Sequence, residues 1–155
     1  MDGSYNSAFD GFDEVWNRVC GKAEAAEPGL DQLRGFITDE ACASAYYEAA
    51  SRKFPVYSQR LRQLAAEERC HLKQLQGEHF LMTGEVYPPP GSCPLPRGGL
   101  CALRSAYCDE LQAANAYRAA AEAESVPALR GLYLKNASDE ERHAGILKEL
   151  ILRSL

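Results

Sequence analysis

Residues 65–71 read AAEERCH and residues 137–143 read ASDEERH. Each stretch holds an acidic pair whose second member opens a Glu-x-x-His step, Glu68 to His71 and Glu140 to His143. Residues three apart on an α-helix project from one face, so each step directs a carboxylate and an imidazole toward a common point. A second pair of stretches repeats as well. Residues 39–50, DEACASAYYEAA, align with residues 109–120, DELQAANAYRAA, and six of the twelve positions are identical. This repeat keeps Asp-Glu at 39–40 and 109–110 and a tyrosine seven residues beyond each glutamate, Tyr47 and Tyr117. Two copies of the same pattern are read first as a duplicated structural unit.

Working outward, the chain divides into helical runs punctuated by proline and glycine. Helices are expected over about 31–52, from Pro55 to about 83, over about 100–125, and from Pro127 nearly to Leu155. Phe9, Phe12, Trp16, Val19 and Cys20 recur at helical spacing, which predicts a short amphipathic helix ending near Gly21. Residues 22–30 then read as a linker, so residues 1–30 form an N-terminal segment and 31–155 one bundle domain. Residues 85–99 carry Pro88-Pro89-Pro90, Pro94, Pro96 and Gly98-Gly99, a composition that no regular element tolerates.

Loop lengths imply a topology. The connections near residues 53 and 125 are short, so the helices pair as two antiparallel hairpins. The middle connector, in polyproline form, could reach about 45 Å at roughly 3.1 Å per residue. That is enough to run the length of a bundle of such helices. Glu40 lies 13 residues before the first turn and Glu68 lies 15 after it; Glu110 and Glu140 each lie 15 from the second. Equal rise along antiparallel helices brings Glu40, Glu68, His71, Glu110, Glu140 and His143 to one level, about 20 Å from the short turns. Glu40 is followed at helical spacing by Ala43, Tyr47 and Ala50, which places it on a buried face. Four carboxylates brought together in a core need cations, because desolvation and mutual repulsion otherwise forbid it.

Composition fits this reading. At 155 residues the chain suits a single domain with its own core, and a net charge of −5 argues against nucleic acid as a partner. No apolar run approaches the roughly 20 residues that span a bilayer. Asp2, Asp10, Asp13 and Glu14 near the N-terminus are unlike a signal peptide, so a cytoplasmic location is expected. The six cysteines form no C-x-x-C pair, which removes zinc-knuckle, rubredoxin and thioredoxin motifs. They are expected as reduced thiols, with Cys93–Cys101 the alternative for a disulfide.

A glutamate on the first and third long helices with Glu-x-x-His on the second and fourth resembles the ferritin-like di-iron carboxylate superfamily, and within it the rubrerythrin-like branch. The resemblance covers about residues 31–155. It implies an all-α, ferritin-like four-helix bundle with a long crossover between the second and third helices, here with a short extra N-terminal helix. It further implies two metal ions, iron first and manganese or a mixed pair as alternatives. Glu40, Glu68 and His71 would form one half-site and Glu110, Glu140 and His143 the other, with Glu68 and Glu140 bridging. In such bundles the acidic residue before the ligand glutamate holds the histidine of the opposite half, a role that falls here to Asp139 and Glu67. Tyr47 and Tyr117 could donate to ligand carboxylates or serve as core aromatics. Arg142 has no counterpart in the other half, where Cys70 stands, so little is expected of it.

Two departures bear on activity. Rubrerythrins carry a further glutamate three residues after the third helix's ligand, where this chain has Ala113, and a rubredoxin module with paired C-x-x-C motifs. Electrons would therefore come from an external donor. The expected function is a non-haem di-iron oxidoreductase acting on peroxide or dioxygen, assembled as a homodimer. Ferroxidase or iron-storage activity, di-iron hydroxylation and a purely structural metal site are the alternatives. Hydroxylation needs an apolar membrane face or a substrate channel, and neither is expected from the evenly charged helices.

Overall fold

A computed structural model describes residues 28–155, and these are all-helical outside the connections. Four long helices form the bundle: α1 (Pro28–Lys53), α2 (Ser58–Thr83), α3 (Leu100–Ala123) and α4 (Pro127–Leu152). A single 3-10 turn, Pro55–Tyr57, joins α1 to α2. The expected N-terminal helix lies outside the described residues. The linker expected over 22–30 ends earlier, since α1 already begins at Pro28, where a proline without an N–H costs a helix nothing. At the other end of the third helix the expectation overshot: α3 stops at Ala123, and Glu124 is extended.

Local chemistry sets the helix ends. Gly84 adopts a left-handed φ of 73° after α2, and its N–H closes on the Phe80 carbonyl at 2.7 Å. Gly99, at φ 77°, precedes α3. Pro127 opens α4 at a position that needs no N–H donor.

The helices pair as α1 with α2 and α3 with α4, and apolar residues gather at the two ends of the bundle. One cluster joins Tyr47, Ala50, Leu61, Leu64, Leu103 and Leu147; the other joins Leu33, Ile37, Leu75, Tyr117, Leu129 and Tyr133. The first lies by the α1–α2 turn and the second by the α3–α4 turn, so the hairpins point in opposite directions. Truncating any one of the fully buried leucines costs on the order of 2–5 kcal/mol, which ties both ends tightly. Between the two clusters the repeated motifs lie at mid-height. Residues 84–99 have no regular structure; Tyr87 packs on one cluster and Leu100 on the other.

One expectation about cysteine is corrected. Cys42 on α1 and Cys93 in the 84–99 connection form a disulfide, while Cys101 is free. All thiols reduced, or a Cys93–Cys101 pair, both assumed a connection that stays near its own sequence neighbours. Instead, the connection packs back along α1. There the Lys53 ammonium also donates to the Pro96 carbonyl.

Candidate metal centre

Each helix contributes to one buried cluster. Glu40 comes from α1, Glu68 and His71 from α2, Glu110 from α3, and Glu140 and His143 from α4. None is more than 5% exposed. The donor atoms fall into two groups, Glu40–Glu68–His71–Glu140 and Glu68–Glu110–Glu140–His143, the atoms of each lying within 4.8 Å of one another. Glu68 and Glu140 belong to both groups. All six residues picked out by the repeat are thus in one place, and these buried groups could hold a metal ion.

The imidazoles show how the cluster is built. His71 Nδ1 faces inward, 3.1 Å from Glu68 Oε2, 3.1 Å from Glu140 Oε1 and 3.5 Å from Glu40 Oε2. His143 Nδ1 lies 3.0 Å from Glu140 Oε2, 2.9 Å from Glu68 Oε1 and 4.0 Å from Glu110 Oε2. One N–H cannot serve three carboxylates. Glu68 Oε1 and Glu140 Oε1 indeed accept no well-aligned hydrogen bond although a ring nitrogen is near each, and both are fully buried. A cation placed among them would answer these lone pairs at once, which is the fit of the donor set to a metal ion.

The outward nitrogens are held from the opposite hairpin. His71 Nε2 is 3.1 Å from Asp139 Oδ2 on α4, and His143 Nε2 is 2.8 Å from Glu67 Oε2 on α2. A carboxylate at Nε2 keeps a proton there, so that Nδ1 is the nitrogen that would give up its proton and turn its lone pair on a bound ion. Tyr47 on α1 donates to Glu110 on α3, and Tyr117 on α3 donates to Glu40 on α1. Both tyrosines therefore do what was set out as one of their two alternatives, and they cross between the hairpins as they do so.

Arg142 does more than its lack of a counterpart implied. Its guanidinium donates to Glu67 at 2.7 Å and to Asp139 at 3.0 Å, linking the two carboxylates that hold the histidines. Lys135 adds a contact to Asp139 at 3.0 Å. The i, i+3 spacing of Asp139 and Arg142 was the available sequence signal; the reach across to Glu67 was not visible in it.

Electrostatics in metal-free protein follow from packing four carboxylates together. Burial, with repulsion from Glu68 and Glu140, pushes Glu40 up to about 8. Burial and the same two neighbours carry Glu110 well above the usual carboxylate range. Burial works against Glu140 ionising too, but hydrogen bonds from His143 and His71 outweigh it and hold the group at about 2. Burial likewise opposes a charge on the imidazoles, yet the hydrogen bonds they donate to the glutamates win: His143 rises to about 11 and His71 further still. Protons on the histidines and on two glutamates thus supply the positive charge that the cluster demands.

No protein-family model matches the chain, and no curated protein matches its sequence. The cluster therefore has to be read from its own chemistry.

A cleft opens onto this cluster between α1 and α3. It encloses about 810 Å³ and is lined by Ala43, Ala106, Ala113 and Ala116, with Tyr47, Tyr117 and all four glutamates of the cluster at its inner wall. The expectation that the helices offer no channel is corrected here. Small alanines at matching repeat positions, such as Ala43 and Ala113, leave space that larger side chains would fill. No helix among the described residues is long and apolar enough to cross a membrane.

Proposed function

We propose that the chain is a non-haem di-iron carboxylate protein of the ferritin-like, rubrerythrin-like kind, an oxidoreductase acting on peroxide or dioxygen. The observation that carries this reading is the pair of overlapping donor groups that share Glu68 and Glu140, each with one imidazole whose far nitrogen is tied to a carboxylate. Tyr87 and Leu100 packing at opposite ends of the bundle supports the long crossover of that fold.

Glu40, His71, Glu110 and His143 would hold one ion or the other, and Glu68 and Glu140 would bridge them. An oxygen-rich set with two imidazoles suits iron or manganese better than structural zinc, which favours thiolates and tetrahedral closure. Two such ions, when bound, supply a pair of electrons to an oxygen substrate. The protein's own contributions are separable. Asp139 and Glu67, joined by Arg142, orient the imidazoles. Tyr117 and Tyr47 donate to Glu40 and Glu110, spreading the charge of the non-bridging ligands and keeping them in place. The two apolar clusters exclude water above and below the site, so an oxygen substrate enters from the α1–α3 cleft, on the side away from the histidines.

The cleft favours a second reading, oxidation of an organic substrate at the same site, because its volume lies in the range that encloses a small molecule, roughly 300–1,000 Å³. Stopped-flow mixing of the ferrous protein with peroxide and with dioxygen tests the leading proposal. Iron oxidation within the dead time to seconds is expected with at least one of them; a ferrous protein inert to both refutes it.

A further inference from the structure

The Cys42–Cys93 disulfide is not placed as a simple surface staple. Cys42 stands two residues beyond Glu40 on α1, about 3 Å further along the helix axis, and lines the cleft that opens onto the carboxylate cluster. Pro94 and Leu95, next to its partner Cys93, line the same cleft. Both cysteines are half-buried, so a reductant in solution can reach the bond. A third thiol, the exposed Cys101, also lines this cleft and is free. A staple joining α1 to the 84–99 connection needs neither access to the cleft nor a free thiol beside it.

We propose that Cys42 and Cys93 form a dithiol–disulfide couple that supplies electrons to the chemistry of the carboxylate–histidine site. The proposal rests on the di-metal reading and answers a demand that reading creates: a two-electron oxidation needs a two-electron donor, and the chain has no C-x-x-C module to serve. The balance is simple. The two thiols give up two electrons and two protons as the Sγ–Sγ bond forms. Hydrogen peroxide takes both, its O–O bond breaks, and two waters leave. An external dithiol reopens the bond by exchange, its own thiols becoming a disulfide while Cys42 and Cys93 regain their protons.

The test uses the full chain, reduced with a dithiol and desalted without air. One sample is kept metal-free and another is loaded with two equivalents of ferrous ion. Peroxide is added, and the Cys42–Cys93 bond is followed by alkylation and peptide mass. Because unactivated thiols react slowly with peroxide, disulfide formation about tenfold or more faster in the loaded sample is expected. Peroxide consumption gives an independent count. The reduced parent should use two equivalents, one for the ions and one for the thiols, and Cys93→Ser should use one while keeping its metal. Equal disulfide rates with and without metal, or equal peroxide consumption by parent and Cys93→Ser, overturn the electron supply alone. A parent chain that takes up no metal overturns the di-metal reading and this proposal with it. The rate comparison needs no variant, so a folding defect in Cys93→Ser cannot obscure the answer.

Discussion

Metal affinity should depend steeply on pH, because ions and protons compete for the same atoms. In metal-free protein near neutrality, Glu40 and Glu110 retain protons and His71 and His143 are charged. A metal pair has to displace one proton from each of these four groups, hence two per ion. Each proton released contributes one power of ten per pH unit, so affinity per ion should rise about a hundredfold from pH 6 to pH 7. As pH passes about 8, Glu40 loses its proton unaided and the slope should fall. Manganese(II), which stays in solution across this range, can be titrated against a competing chelator at half-unit steps. Proton release into unbuffered solution gives the same number directly. A slope indistinguishable from zero refutes the reasoning, since it is what exposed, already ionised carboxylates would give.

Other outcomes follow from the same geometry. Glu40→Gln is isosteric with the protonated acid, so metal-free stability at pH 4, where Glu40 is protonated folded and unfolded, should change by no more than about 0.5 kcal/mol while metal affinity at pH 7 falls; calorimetry and metal titration check the two halves. The sign with pH is also fixed: Glu40 is raised in the folded state, so its contribution is lost as pH climbs from 4.5 to about 8, and Glu40→Gln should melt higher than the parent by a margin that grows through that window and levels off above pH 8. Asp139→Asn weakens the acceptor at His71 Nε2 and should lower metal affinity by roughly 10–100-fold with the helical content unchanged by circular dichroism. Reducing Cys42–Cys93, which closes a separation of 51 residues, should cost roughly 2–4 kcal/mol in denaturant unfolding, and an unchanged midpoint would count against the bond.

The sequence was most informative where local periodicity coincided with duplication. Glu-x-x-His is a one-turn relation, and the counts from Glu40, Glu68, Glu110 and Glu140 to the short turns fix height through helical rise alone. These are properties of single helices and hairpins, and the six residues do lie together. The pairing of Asp139 with His71 and Glu67 with His143 was implied by the resemblance to ferritin-like bundles rather than by helical spacing, and both contacts are present.

What could not be read depends on irregular backbone and on the space between helices. Cys42 and Cys93 meet because residues 84–99 fold back on α1, and a proline-rich connection has no periodicity from which to infer its path. The cleft is an absence of side-chain volume between α1 and α3, visible only once those helices are set side by side. Arg142 was undervalued because a repeat directs attention to residues present in both copies. His79, outside the motifs, is a buried end-piece of the bundle. Its Nδ1 lies 2.8 Å from the Glu85 carbonyl, and its Nε2 accepts from Arg34 at 3.2 Å.

The central claim is that the carboxylate–histidine cluster is a two-metal site, and metal stoichiometry tests it most directly. Protein purified without chelators and reloaded anaerobically with ferrous ion should hold two ions per chain by elemental analysis. Glu68→Ala, which removes a ligand shared by both donor groups, and His143→Ala should each fall well below that value. Two ions retained by both variants, or none held by the parent, would contradict the account.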